Sequence, residues 1–316
     1  MARLQTPFPF DPLPLGEVTP RPGPGDLQEL LRRDVRIVRW FIEQAGWTSR
    51  PIRPGSSLGE LLAVSDTLDL NGPAKPVESI EPEVARHLLH SSAALARLAW
   101  AIRALHGNGG FIDRVDASFI NDELLGEDSK ERGVERKLPA GIGTIVFAGR
   151  LVQAGRGRII SINGNGGVGH DIKWVTGTGD TVLVERKDRS YEAGLGDTPE
   201  KRIARVIQET RKAGLTMPRE RGVARVLVVG FQHLVRQREA KRVDRGYYAA
   251  LRSEFGRGRV RLADLPHVVI AEHLGLEPKT GGEKWDFFSP QPLNMKPREM
   301  MRRVGRLLVN ALGRRV

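Results

Sequence analysis

The sequence predicts an α/β fold. A mixed central sheet is laid down in the order helix, three strands, helix, strand, with a helical region added before it. Three observations carry this. Between Arg158 and Arg189 the apolar runs RIISI, DIKWV and TVLVE alternate with glycine-rich turns and are filled with Val, Ile, Thr and Trp. Such residues fit a pleated surface better than a helix. From about Thr198 to Ala213, Ile203, Val206 and Ile207 form an apolar stripe, with Thr198 as cap and Pro199 at the first position, the pattern of a helix. Then VARVLVVGF is almost continuously apolar, as a strand covered on both faces would be.

Four regions follow: a proline-rich arm at 1–25, a helical region at 26–128, the α/β core at 129–275, and a loop with a basic helix at 276–316. In the arm, PFPFDPLPLGEVTPRPGPG excludes helix and central strand. Its Phe8, Phe10, Leu13 and Leu15 are expected to clamp onto a neighbouring element. Asp26 caps a helix that ends at Gly46, with Glu29 in capping-box position. A short helix or turn surrounds SLGELLAV. A long helix from about Glu81 to Leu105 is apolar on much of its circumference and is expected to be a packing helix. IGTIVFAGRLVQAG reads as the first core helix. HVVIAEHLG reads as a further strand, GGEKWDFFSPQPLN as loop, and PREMMRRVGRLLVNALGRRV as an amphipathic basic helix.

The chemistry gathers on the hairpin DIKWVTGTGDTVLVERK. Gly177 and Gly179 suit the turn, and Asp180 is read first as turn-forming. Asp171 opens one strand; Glu185 and Lys187 close the next, two residues apart and therefore on one face. Across the turn Asp171 and Glu185 are roughly opposite. Two carboxylates held close repel unless a cation joins them, and a hard divalent metal is the simplest choice. Lys187 would then steady developing charge.

An acid at a strand start, a turn, and an apolar strand ending in Glu185-Arg186-Lys187 resembles the PD-(D/E)xK nuclease superfamily. His170 stands where that family usually has proline. The resemblance spans about residues 130–235. It implies a restriction-endonuclease-like core and a metal-dependent endonuclease that hydrolyses phosphodiester bonds, in DNA before RNA. It implies Mg²⁺ or Mn²⁺ held by Asp171, Glu185 and the Arg186 carbonyl. It also implies a further acid from a preceding helix: Glu123, Glu131 and Glu135 are the candidates, with Glu135 favoured as nearest the core. His170 and Gln208 are accessory candidates, His170 with orienting Asp171 as its plainer role.

Net charge is +12, which draws polyanions before any specific contact forms. Arg189, Arg205, Arg236, Arg238, Lys241 and Arg242 are the candidate nucleic-acid contacts. A nucleic-acid-binding protein with no catalysis is the competing function. The glycine run GNGGVG does not support a nucleotide-binding fold, because it opens into a strand where a phosphate loop opens into a helix. The chain has no cysteine, which excludes disulfides, cysteine zinc sites and thiol catalysis. No run is long enough to span a membrane and no leader opens the chain, so a cytoplasmic protein is expected. A homodimer is a further expectation, since cutting two strands often takes two sites.

Overall fold

The computed structural model describes residues 7–11, 13, 27–67, 82–106, 111–126, 137–155, 157–164, 169–189, 199–231, most of 246–258, 265–274, 283–288 and 302–308. The chain divides into two compact units, Met1–Ala154 with Val316, and Gly155–Arg315.

The first unit is helical: α1 (Leu27–Arg39), α2 (Ser57–Thr67), α3 (Pro82–His106), α4 (Ala117–Phe119) and α5 (Lys137–Gly155). α1 runs on into a π-helical turn at Trp40–Gln44, and α4 into another at Ile120–Leu124. The first widening keeps Trp40, Phe41 and Ile42 all buried. A helix with 3.6 residues per turn would carry three consecutive side chains around most of its circumference.

The proline-rich arm does clamp. Phe8 stacks on His106 with ring centroids 5.7 Å apart and meets Trp40 edge-on at 5.1 Å. Leu13 is buried; Leu15 lies outside the described residues. Trp40, Phe41 and Trp47 close the box of rings around His106. The imidazole Nε2 has no hydrogen-bond partner there among the described residues, and burial pushes the ring's pKa down to about 4. The folded chain therefore holds His106 neutral where the unfolded chain, with a value near 6.5, takes a proton. Stability is full above 6.5 and drains away as pH falls toward 4, by up to about 3 kcal/mol. Denaturant titrations at pH 7.5 and 4.5 should show this loss, and His106→Phe should remove that part of it.

The second unit is an open sheet with strand order β1 (Arg158–Ile162), β2 (Ile172–Val175), β3 (Thr181–Arg189), β4 (Val223–Phe231), β5 (Val268–Leu274) and β6 (Glu283–Phe288). Three antiparallel pairings, β1–β2, β2–β3 and β5–β6, flank the parallel pairings β3–β4 and β4–β5. The sheet is mixed and open, and α5, β1, β2, β3, α6 (Pro199–Thr216) and β4 follow the expected order. β6 corrects the loop expected over residues 281–294. EKWDFF sits between glycine and proline punctuation, and the backbone ladder to β5 makes it an edge strand.

The register fixes what each sheet face carries. Leu183, Leu227, Val229 and Val269 share one face and pack on Val206, Ile207 and Ala213 of α6, with Tyr247 and Leu265. Val182, Val184, Val226, Val228 and Ile270 alternate onto the other face and are fully buried. That second face also buries Arg186 of β3 and Glu272 of β5 as an ion pair. Among the described residues no helix is long and apolar enough to cross a membrane.

Candidate active site

The β2–β3 hairpin places the acids. Ile172 pairs with Val184 at the start of β2, and Asp171 stands just before the strand with its N–H donating to the Val184 carbonyl at 2.8 Å. At the other end the turn closes with Thr176 N–H donating to the Asp180 carbonyl at 2.9 Å. Of the two turn glycines, Gly179 alone takes positive φ, +84°. Asp180 accepts two hydrogen bonds from Arg303, at 2.9 and 3.1 Å, which with Thr178 hold its carboxyl below the usual range. That clamp keeps Asp180 at the turn, as read from the sequence.

Asp171 is fastened on three sides. Its carboxylate Oδ2 accepts a short hydrogen bond from the Arg186 N–H. Its carbonyl accepts the Asn163 N–H at 2.8 Å, and the Asn163 amide donates to the His170 carbonyl at 3.3 Å. Just before it, Gly169 has φ +72°, and a Cβ there would lie 2.3 Å from the Thr216 carbonyl oxygen at the end of α6. Glycine is required both for the dihedral and for the contact. Gly169→Ala should destabilise the protein by about 1–3 kcal/mol or more, measured by denaturant titration, and should shift the Asp171 resonances.

Glu185 and Lys187 lie on the α6 side of the sheet, two and four residues beyond Leu183. Lys187 Nζ is 2.7 Å from Glu185 Oε1; the lysine is 33% exposed and the glutamate 7%. Asp171 is half-buried, so the cluster opens to solvent through Asp171 and Lys187. Burial works to lower the Lys187 pKa. The charges of Glu185 and Asp171, the Glu185 hydrogen bond and the charge of Glu209 outweigh it and hold the ammonium above the usual lysine range. Lys187 is therefore charged at neutral pH.

Glu209 is the acid that the sequence reading passed over. α6 turns Val206, Glu209, Thr210 and Ala213 toward the sheet, all buried, while Gln208 is exposed and takes a 2.9 Å hydrogen bond from Arg205. The signal was present: positions i, i+3, i+4 and i+7 from Val206 define one helix face, and Glu209 lies inside it. Lys212 and Arg205 stand 3.6 and 4.0 Å from Glu209. Asn163 was also passed over, because nothing in a glycine-rich loop marks an amide that fastens a backbone seven residues away.

The remaining candidates are dispersed. The Arg186 side chain leaves for the opposite face and Glu272, while its N–H turns to Asp171. In extended backbone a residue's carbonyl points to the same side as its N–H, so the Arg186 carbonyl also faces the Asp171 edge. His170 is buried. Glu123 is buried in the first unit; Glu131 and Glu135 lie outside the described residues. So do Arg236, Arg238, Lys241 and Arg242, as does the Arg189 side chain, whose backbone ends β3 opposite Phe231.

Topology sets where this lies. β3, β4 and β5 run parallel, and the cluster sits toward the carboxyl end of β3, the edge where open α/β sheets bind ligands. Asp171, Glu185 and the Arg186 carbonyl offer oxygen atoms alone, the ligand chemistry that suits Mg²⁺ or Mn²⁺. Among the described residues no group of three or more acidic or imidazole side chains forms a metal cluster. Neither the family models, the curated proteins nor the solved structures compared with the chain gave a match.

Proposed function

We propose that the α/β core at 129–275 is restriction-endonuclease-like and that the protein is a divalent-metal-dependent nuclease acting on DNA. The observation that carries this is Lys187 Nζ 2.7 Å from Glu185 Oε1 on a part-exposed stretch of β3, with the charges of Asp171, just before β2, and of Glu209 on α6 acting on the same ammonium. Asp171 and Glu185, with the Arg186 carbonyl, would hold Mg²⁺ or Mn²⁺. Such an ion, when bound, polarises a phosphoryl oxygen and lowers the pKa of a coordinated water.

The chain's own groups do the rest. The Arg186 N–H holds Asp171 through its Oδ2. Lys187 is a poor proton acceptor, since Glu185, Asp171 and Glu209 keep it protonated. Its part is to donate hydrogen bonds to a phosphate oxygen and to balance charge as it grows in the transition state. The charge of Glu209 adds to those of Glu185 and Asp171 in holding the proton on Lys187. The expected products carry 5′-phosphate and 3′-hydroxyl ends, and a homodimer would bring two such sites to a duplex.

A second reading has a specific observation behind it. Lys187 closes on Glu185 at 2.7 Å, and Lys212 and Arg205 flank Glu209, as in a charge network with no catalytic duty. A nucleic-acid-binding protein without hydrolysis would look the same here. Incubating the protein with single-stranded, duplex and branched DNA in Mg²⁺ and in EDTA separates the two. New 5′-phosphate ends in Mg²⁺ alone support the nuclease. Binding that weakens steeply with salt and yields no metal-dependent product supports the alternative.

A further inference from the structure

The first unit carries a groove of about 450 Å³ lined by Arg50, Pro51, Arg53, Asn121, Leu125 and Gly126. That volume is within the size range of small-ligand sites. Among the described residues its chemistry is one-sided. Each described polar side chain lining it is a hydrogen-bond donor or has its acceptor occupied: two guanidiniums, and an Asn121 whose Oδ1 already accepts the Thr48 hydroxyl at 2.6 Å. What Asn121 has left is its pair of amide N–H groups. No carboxylate lines it among the described residues. Pro51 and Leu125 supply apolar surface beside these donors.

The loop bearing the arginines is built. The Thr48 hydroxyl that donates to Asn121 also accepts the Arg50 N–H at 3.1 Å. Three residues beyond Arg53, the buried Ser56 hydroxyl donates to the Arg53 carbonyl at 2.7 Å and accepts the Gly59 N–H at 3.1 Å, capping α2. Both arginines thus leave a backbone fixed at each end, which reduces the ordering cost of binding.

We propose that this groove is an anion site for the phosphate ester of a nucleotide, with the guanidiniums and the Asn121 amide on the phosphate and the attached ring against Pro51 and Leu125. Planar guanidiniums pair with phosphate oxygens in two-point fashion. The proposal is separate from hydrolysis at Lys187 and is tested by binding alone.

Fluorescence anisotropy of a labelled twelve-nucleotide single-stranded DNA, in EDTA, gives the affinity. Arg50 is exposed, so Arg50→Glu should leave the fold intact. Arg221, exposed in the turn before β4 of the second unit, supplies Arg221→Glu as a control with the same change in net charge. Arg50→Glu should weaken binding at least about tenfold and flatten the salt dependence by about one phosphate contact. Arg221→Glu should change affinity less than about twofold by comparison. Equal losses in both variants would show that net charge alone acts, and no loss in Arg50→Glu would show that the groove is not used; either overturns the proposal. Competition by deoxyadenosine monophosphate, lost in Arg50→Glu, would identify free nucleotide as a ligand; competition by unlabelled oligonucleotide alone would identify a strand. Circular dichroism confirms folding, and Arg50→Lys, which keeps the charge but not the two-point geometry, should fall between wild type and Arg50→Glu.

Discussion

Lys187→Ala is expected to lower the Mg²⁺-dependent cleavage rate by about 10²–10³-fold or more, the usual cost of removing a group that stabilises transition-state charge. It should leave DNA affinity within a few-fold of wild type, since one ammonium among many cations is lost. The variant also discriminates between roles. Lys187 contacts Glu185 directly, so its removal takes a positive charge away from the place where a metal ion would sit. Metal affinity should therefore hold or rise while the rate falls. Glu185→Gln should lose both. Single-turnover rates over a Mg²⁺ titration read the two quantities separately. If Lys187→Ala cleaves at the wild-type rate, the lysine has no catalytic role.

The largest stability effect is expected on the other face of the sheet. Glu272→Ala removes the carboxylate that meets the Arg186 guanidinium, 4% exposed, and should cost up to about 3–5 kcal/mol. Replacing both partners, Arg186→Met with Glu272→Leu, should recover much of that loss, because two apolar side chains there no longer need desolvated charges compensated. Denaturant titration of the two variants beside wild type decides it. The experiment also separates fold from chemistry within Glu185-Arg186-Lys187. The Arg186 side chain serves the sheet, while its backbone N–H serves Asp171. A double variant that folds and keeps its activity would agree with that division of labour.

The hairpin was legible in the sequence because a strand has a period of two. Once TGTGD is taken as the turn, Glu185 and Lys187 must share a face, and Asp171 comes to the β3 backbone, its N–H on Val184 and its carboxylate on the Arg186 N–H. β4 was legible because nine apolar-rich residues have few other places to go. β6 was not: charged and aromatic residues mixed in EKWDFF give no clean alternation, and edge pairing comes from β5 rather than from local preference. Glu209 was hidden by a helix phase read only as far as Ile207. Carrying the stripe on to Thr210 and Ala213 places Glu209 inside it and leaves Gln208 on the solvent side. The aromatic box around His106 draws rings from residues about a hundred positions apart, and no local pattern announces it. Arg186–Glu272 is the same case: parallel strands bring together residues that spacing cannot relate.

The proposed function rests on Asp171 and Glu185 sharing one divalent cation. Electron paramagnetic resonance of Mn²⁺ added to the full chain measures this without any substrate. One bound ion per chain is expected at this site, with at least about tenfold weaker binding in Asp171→Asn and in Glu185→Gln, and with binding retained in Lys187→Ala. Mn²⁺ binding that is the same in wild type and in both acid variants would contradict it.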